Sequence, residues 1–281
     1  MPVPLYDIVN GGTDIHFCEN NGIEIISLIF QWFKNVSRET SIKSIKNKMN
    51  PTKTLPEVFR RDVQKFKKLV QKADIVISSE MMLLLIEYIF LILNWNDKFN
   101  LVSSDDEPRI FTRHIFESLL LTKTADFSGT KKMLDIGSGA GFPAIPLKLW
   151  NPNLQITMIE SRRKKVIFLN NIIEQLGLDG TAACWMRAED SNTDESLQNA
   201  FDIVTARAVT ALPRLLQLAK PYISMNKSPK SICVFPKGSA AFQEAGRINR
   251  RIWNVSIQDV TPFLLDKIPP LYVVIAYIID T

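Results

Sequence analysis

Residues 133–147 read MLDIGSGAGFPAIPL, a hydrophobic run that breaks into Gly137, Gly139 and Gly141 before turning apolar again. Glycine surrenders more conformational freedom on ordering than any other residue, so its alternation here marks a place that needs a bare backbone. The preceding KMLDI has the make-up of a strand, and the following segment that of a helix. The glycines therefore occupy a strand-to-helix turn, where a backbone without Cβ atoms can pass close to a nucleotide-like ligand.

Outward from this turn, short apolar strands alternate with helical segments. Strands are read at KMLDI (132–136), QITMIE (155–160), AACWMR (182–187), FDIVTA (201–206), SICVFP (231–236) and YVVIAYII (272–279). Helices are read around 143–150, 162–176, 210–220 and 239–251. The alternation predicts an α/β fold, a doubly wound and mostly parallel sheet with helices on both faces. Ligands of such sheets sit beyond the carboxyl ends of the strands, near the point where strand order reverses.

Glu160 ends the second strand, a position suited to hydrogen bonding with the two hydroxyls of an adenosine ribose. An acid there is also common as a charge ahead of a helix, and its pairing with the glycine turn is what points to a cofactor. Two cofactors fit, a dinucleotide or S-adenosylmethionine. The dinucleotide fingerprint GxGxxG is broken by Phe142 in place of its last glycine, and Asp135 stands two residues before the turn. Both features favour S-adenosylmethionine.

Upstream, residues 56–128 are helical in pattern, through FRRDVQKFKKLVQKA, MMLLLIEYIFLILNWNDKFN and RIFTRHIFESLLL, and are read as a helical cap. Residues 1–55 read as an extension and linker, and residues 129–281 as the α/β domain. The apolar runs IISLIF (25–30) and MMLLLIEYIFLILNW (81–95) fall short of the about 18 to 20 apolar residues of a membrane span, and the longer contains Glu87. Both are expected to be buried helices, with no membrane partner.

Cys18, Cys184 and Cys233 are odd in number and lack ligand-like spacing, which argues against a disulfide framework or a metal site and for a reducing compartment. The N-terminal residues do not resemble a secretory signal, and the expected location is the cytoplasm. Charge is unevenly placed: residues 41–72 hold ten basic residues against Glu57 and Asp62, in a chain of net charge +5. Such a segment is the footprint of phosphate binding, or else a solvated linker.

The motifs DIGSGAGFPAIPL, ESRRKKVIFL, WMRAED, TARAVTAL and FPKG, with the upstream WNDKFNLVSS and TRHIFESLL, occur in order. Together they resemble the glucose-inhibited division protein B family, also called ribosomal small subunit methyltransferase G, over roughly residues 80 to 250. The resemblance implies a class I S-adenosylmethionine-dependent methyltransferase domain behind a helical cap. It also implies methylation of N7 of a guanine in 16S ribosomal RNA, with that RNA or the small ribosomal subunit as partner and a monomeric enzyme.

Residue by residue, the resemblance implies that Gly137 and Phe142 line the S-adenosylmethionine site, Gly139 and Gly141 shape the turn, and Glu160 holds the ribose. Ala188 and Glu189 frame the adenine, and Arg207 lies near the methyl donor and target base. His114 and Lys164 are carried over as further candidates for the reaction. Asn100, Arg113, Lys164, Lys165, Arg187 and Lys237 are carried over toward the RNA. From the residues alone, a lone histidine of an amphipathic helix such as His114 is usually structural, and a site-lining role fits it better than a catalytic one, while Arg187 and Lys237 are equally strand-end surface charges. Lys164 lies in a basic run at a helix start, where cations oppose the helix dipole and hint at phosphate.

Guanine N7 already exposes a lone pair, so the reaction needs alignment and electrostatic support more than a general base. The fourth strand is followed by ARAV, not the Asn/Asp-Pro-Pro-aromatic element of amino-group methyltransferases, and no Pro-Cys nucleophile is present for cytosine C5 chemistry. The chain departs from the family pattern at Ala144, which replaces a glycine, and in the C-terminal stretch, which lacks an Arg-His pair. Residues 1 to about 70 have no counterpart in it. A noncatalytic RNA-binding or ribosome-assembly factor, a small-molecule methyltransferase and a dinucleotide-dependent oxidoreductase are the alternatives.

Overall fold

The computed structural model describes residues 57–224, 230–265 and 268–279. The extension, its apolar run 25–30, Cys18 and the lysines at 43, 46, 48 and 53 lie outside these. The chain divides between Thr54 and Leu55, and the unit that follows runs from Leu55 to Thr281.

Helix α1 (Glu57–Lys72) buries Phe59, Phe66, Leu69 and Val70, spaced to fall on one face. Asp62 of that face is buried too, and its carboxylate accepts the Phe111 N–H at 2.8 Å and the Thr112 hydroxyl at 2.6 Å. Helix α2 (Ser79–Phe99) opens on Ser78, whose hydroxyl accepts the Met81 N–H at 3.0 Å. By length and composition its window 79–96 could cross a bilayer. Within the fold one face of it buries Met81, Leu85, Tyr88, Ile89 and Ile92 against the sheet-side core, but only about a third of the window 79–96 is buried, less than the buried helix expected there.

The third helical segment departs from expectation. Residues 107–123 are not one helix but a 3-10 turn at Glu107–Arg109, a π turn at Phe111–Ile115, the short α3 (Phe116–Leu119) and a second 3-10 turn. The wide π turn carries Arg113 and His114, and such turns are frequent at functional sites. Asp62 anchors it by taking a backbone N–H and a side-chain hydroxyl at its start.

The sheet comprises β1 (Lys132–Ile136), β2 (Gln155–Glu160), β3 (Thr181–Trp185), β4 (Ile203–Ala206), β5 (Ile232–Lys237), β6 (Trp253–Asp259) and β7 (Tyr272–Ile278). The strand order is β3-β2-β1-β4-β5-β7-β6. Strands β1 to β5 run parallel, while β7 is antiparallel to β5 and to β6. Helices α4 (Ala144–Trp150), α5 (Arg163–Leu176), α6 (Leu212–Ala219) and α7 (Ala241–Ala245) connect them. Strand order reverses between β1 and β4, so the cleft outside their carboxyl ends is where a ligand belongs.

Alternation along β1 divides the core. Met133 joins the cluster shared with α1 and α2, whereas Leu134 and Ile136 join the cluster under α6. Two expectations are corrected here. The helix expected over 239–251 is confined to Ala241–Ala245, and β6 was not expected at all. WNVSIQD alternates apolar and polar residues, the pattern of a strand with one face covered, and it pairs with β7 from Trp253↔Ile278 to Asp259↔Tyr272.

Candidate active site

The carboxyl end of the sheet holds two adjoining features, a cavity and a buried polar cluster. The cavity, of about 340 Å³, is walled by Ile136 and Gly137, by Ile159 and Ser161 beside the end of β2, and by Met186, Arg187, Ala188 and Glu189 after β3. Val209 and Thr210, from the loop between β4 and α6, close its other side. Gly137 has φ +69°, and a Cβ there would meet Val209 Cγ2 at 2.7 Å. Only glycine lets the turn and this loop approach so closely.

Glu160 is buried and ties the turn to α5. Its Oε2 accepts the Gly139 N–H at 3.0 Å and its Oε1 the Arg162 N–H at 2.8 Å. Each carboxylate oxygen keeps further acceptor capacity, which ribose hydroxyls can use. Glu189 is exposed and takes Arg214 Nη2 at 3.2 Å. The Ala188 carbonyl accepts the Tyr222 hydroxyl at 3.1 Å, fixing the backbone of the cavity wall.

The polar cluster lies where the π turn meets the sheet. Arg207, just past β4, donates from Nη2 to Glu117 Oε2 at 2.7 Å and to the Arg113 carbonyl at 3.0 Å. Arg113 donates to the other Glu117 oxygen at 2.7 Å, so one carboxylate holds two guanidiniums. Burial pushes the Glu117 carboxyl up, and the two arginines pull it back. Arg207 Nη1 is buried without a partner.

His114 stacks on Phe142 with ring centroids 4.8 Å apart, and Phe142 in turn packs at 5.5 Å from Tyr88. Burial and the neighbouring charges of Arg207, Arg113 and Arg109 push the imidazole down to about 3, so the ring is neutral; its Nε2 makes no hydrogen bond, with the Asp106 carboxylate 3.8 Å away. The Tyr88 hydroxyl donates to the Ala140 carbonyl at 2.6 Å, pinning α2 to the glycine turn.

Asp135 is fully buried on β1. Its Oδ1 accepts the Thr205 hydroxyl at 3.0 Å, and its Oδ2 has no partner. Burial lifts its carboxyl to about 7, with hydrogen bonds holding it back in part. Burial and Asp135 together also raise the Tyr88 hydroxyl, and Arg207 opposes them, so the three groups share one electrostatic environment.

The expected residues thus separate into groups. Gly137, Ala188 and Glu189 are on the cavity wall, and Arg187 lines the same wall although it was expected toward the RNA. Phe142 is not among the lining residues; it is buried against His114 and Tyr88. Arg207, Arg113 and His114 converge in the polar cluster. Lys164 is exposed, with Nζ 5.8 Å from the Phe99 ring centroid, and Lys165 Nζ lies 3.8 Å from a Cβ built on Gly139. Asn100 ends α2 in the left-handed region at φ +47°, its N–H on the Asn96 carbonyl.

Lys237 does not present a free charge to a phosphate. Its ammonium is spent inside the protein, on the Thr210 carbonyl at 2.8 Å and Glu244 at 2.8 Å, where it braces the loop that closes the cavity. Glu117 and Tyr88 were not anticipated. The spacing of Arg113 and Glu117 is a helical i,i+4 pair that signals their contact, but nothing local announces Arg207 as the third partner. Among the described residues no group of three or more His, Cys, Asp or Glu is placed to hold a metal ion.

The unpartnered Asp135 Oδ2 and the glycine cradle fit a cofactor with a cationic amino-acid end beside a nucleoside. The family model for rRNA small subunit methyltransferase G matches residues 81–264. The ribosomal RNA small subunit methyltransferase G of Geobacillus kaustophilus is 32% identical over 191 residues, which cover 68% of this chain and 79% of that protein. That of Bacillus thuringiensis is 31% identical over 206 residues, 73% of this chain and 84% of the relative. Among solved structures, a precorrin-6y C5,15-methyltransferase from Geobacter metallireducens GS-15 aligns with a TM-score of 0.44 and 14% identity, over 57% of this chain and 87% of that one. The fold is that of the class I methyltransferases, the cofactor is S-adenosylmethionine and the protein is a transferase. The chain belongs to the rRNA small subunit methyltransferase G family.

Proposed function

We propose that this protein transfers the methyl group of S-adenosylmethionine to N7 of a guanine in 16S ribosomal RNA, acting in the cytoplasm as a monomer. The observation that carries the reading is the buried Arg207 Nη1, a donor with no acceptor inside the protein. Unmade hydrogen bonds of buried charged groups are costly, so such an atom fits a ligand that supplies the acceptor. Guanine offers O6 next to N7.

Bound S-adenosylmethionine supplies an electrophilic methyl group on a sulfonium. The cavity at Ala188 and Glu189 would hold its adenine, Glu160 its ribose, and Asp135 its ammonium. Arg207 orients the guanine through O6 and leaves the N7 lone pair free for in-line attack on the methyl carbon. The base becomes cationic as the bond forms. Glu117 offsets one of the two charges of the nearby guanidiniums, so the developing charge faces a reduced positive field. No proton leaves N7, and neutral His114 is not required as a base; with Phe142 it gives the cluster a rigid aromatic wall.

Arg113 and His114 sit on the π turn beside this cluster, Lys164 and Lys165 at the start of α5. In this reading Lys164 faces the RNA backbone, and Lys165 supports the glycine turn. The test is transfer of tritiated methyl from S-adenosylmethionine to small ribosomal subunits, or their RNA, from cells lacking the family's enzyme, followed by nucleoside analysis. Label in N7-methylguanosine is expected. Cofactor binding with no label in RNA would sink the reading and favour a noncatalytic or small-molecule role.

A further inference from the structure

Trp185, the last residue of β3, exposes 61% of its surface, which is unusual for the largest aromatic side chain. The ring is nonetheless held. Its Nε1–H donates to the Ser161 carbonyl at 2.9 Å, and the Arg163 guanidinium carbon lies 5.5 Å from the ring centroid. A hydrogen bond at one edge and a cation over the ring make it a preorganised flat surface, so a partner would bind with little further ordering cost.

The surroundings select the chemistry of that partner. Arg162, Arg163 and Lys164 are exposed at the start of α5, and α5 carries no acid in its first turn. Arg187, two residues along the chain, is exposed as well and lines the cofactor cavity. Trp185 pairs in register with Glu160, so the ring stands one strand from the expected ribose position, at the sheet end where methyl transfer takes place. An open indole among arginines is the surface on which single-stranded nucleic acids stack their bases while cations hold the backbone.

We propose that Trp185 and Arg163 form a stacking platform for an unpaired nucleobase that flanks the target guanine in the RNA. This inference rests on the RNA methyltransferase reading and adds a substrate-gripping residue outside the cofactor cavity and the Arg207 cluster. Stacking is tolerant of base identity, so the platform supplies grip and register, and Arg207 supplies the choice of guanine.

The experiment compares wild type, Trp185→Ala and Trp185→Phe in methyl transfer to 16S RNA, alongside the Kd for S-adenosylmethionine measured by calorimetry. Trp185→Ala is expected to raise the KM for RNA roughly 10- to 100-fold, with kcat and the cofactor Kd within about two-fold of wild type. Trp185→Phe, which keeps an aromatic face, should recover most of the loss, and its packing demand is small enough to keep the comparison valid if the alanine variant misfolds. An unchanged KM in both variants would overturn the platform and leave the indole to a protein contact. A cofactor Kd that rises in step with KM would also overturn it, because the ring would then act on the cavity. Wild type that binds the cofactor and transfers nothing to RNA would overturn the methyltransferase reading itself, and the platform with it.

Discussion

Arg207 and Glu117, 90 residues apart in the chain, meet at 2.7 Å in the interior, and the same carboxylate holds Arg113 at 2.7 Å. Removing either member of a buried pair strands the other, but the two removals are not equivalent here. Arg207→Ala leaves Glu117 neutralised by Arg113, whereas Glu117→Ala leaves two guanidiniums facing each other with no closer counterion than Asp106, 3.8 Å from Arg113. Glu117→Ala should therefore cost about 3 to 5 kcal/mol of stability and Arg207→Ala distinctly less, while both slow turnover sharply. Thermal melts of the two variants, read beside their activity, check the asymmetry; equal melting losses would contradict it.

Asp135 carries a pH dependence. Its folded carboxyl titrates at about 7 against an ordinary value of 3.8, so between these pH values the native state keeps a proton that the unfolded chain has lost. Stability without cofactor should therefore fall as pH rises from about 4 to about 7 and then level off. Asp135→Asn should remove that decline. Cofactor affinity should run the other way in wild type, rising from about pH 6 to 7.5 as the carboxylate forms opposite the ammonium. Calorimetric titrations at several pH values settle it; a flat affinity profile would remove Asp135 from the cofactor site.

Two glycines of the turn should respond differently to alanine. At Gly141, φ is +100° and a Cβ would meet Ile145 Cγ1 at 2.6 Å and the Tyr88 hydroxyl at 3.0 Å. Backbone strain and overpacking together should cost about 2 to 4 kcal/mol. At Gly139, φ is +60° and the neighbours, Lys165 Nζ at 3.8 Å and the Gly137 carbonyl at 3.9 Å, are at ordinary contact distance, so the cost should be the left-handed backbone alone, about 1 to 2 kcal/mol. Denaturant melts rank the two, and a reversed order would mean that the turn relaxes at Gly141.

Lys237 separates two roles that the sequence leaves equivalent. As a brace for Thr210, its replacement by Met should loosen the cavity wall and weaken S-adenosylmethionine binding by about ten-fold, with RNA binding keeping its salt dependence. A phosphate contact would do the opposite, lowering the salt slope by about one unit and sparing the cofactor.

What could be read in advance follows from range. The glycine turn, Asp135 and Glu160 lie within one β-α-β unit, where periodicity and residue type speak for themselves. Six strands were legible for the same reason, and β6, which was not expected, carries an alternation of the same kind. The π turn was not legible, because its wide hydrogen bonding is enforced by Asp62 from a distant helix. Nor was the destination of Lys237, since Thr210 and Glu244 reach it only through the folded loop. Charges read singly look like surface; Arg207 finds Glu117 90 residues away, and Lys237 finds Thr210 and Glu244 only through the fold.

In the proposed reaction the unpartnered donor of Arg207 meets the guanine that receives the methyl group. Its most direct measurement is single-turnover methyl transfer to 16S RNA from enzyme-deficient cells, at saturating S-adenosylmethionine, for wild type and Arg207→Ala side by side. Wild type should give N7-methylguanosine, and a folded variant that still binds cofactor should do so at a rate about 100- to 1,000-fold lower. A variant that methylates at a near-normal rate would contradict it and remove Arg207 from the reacting centre.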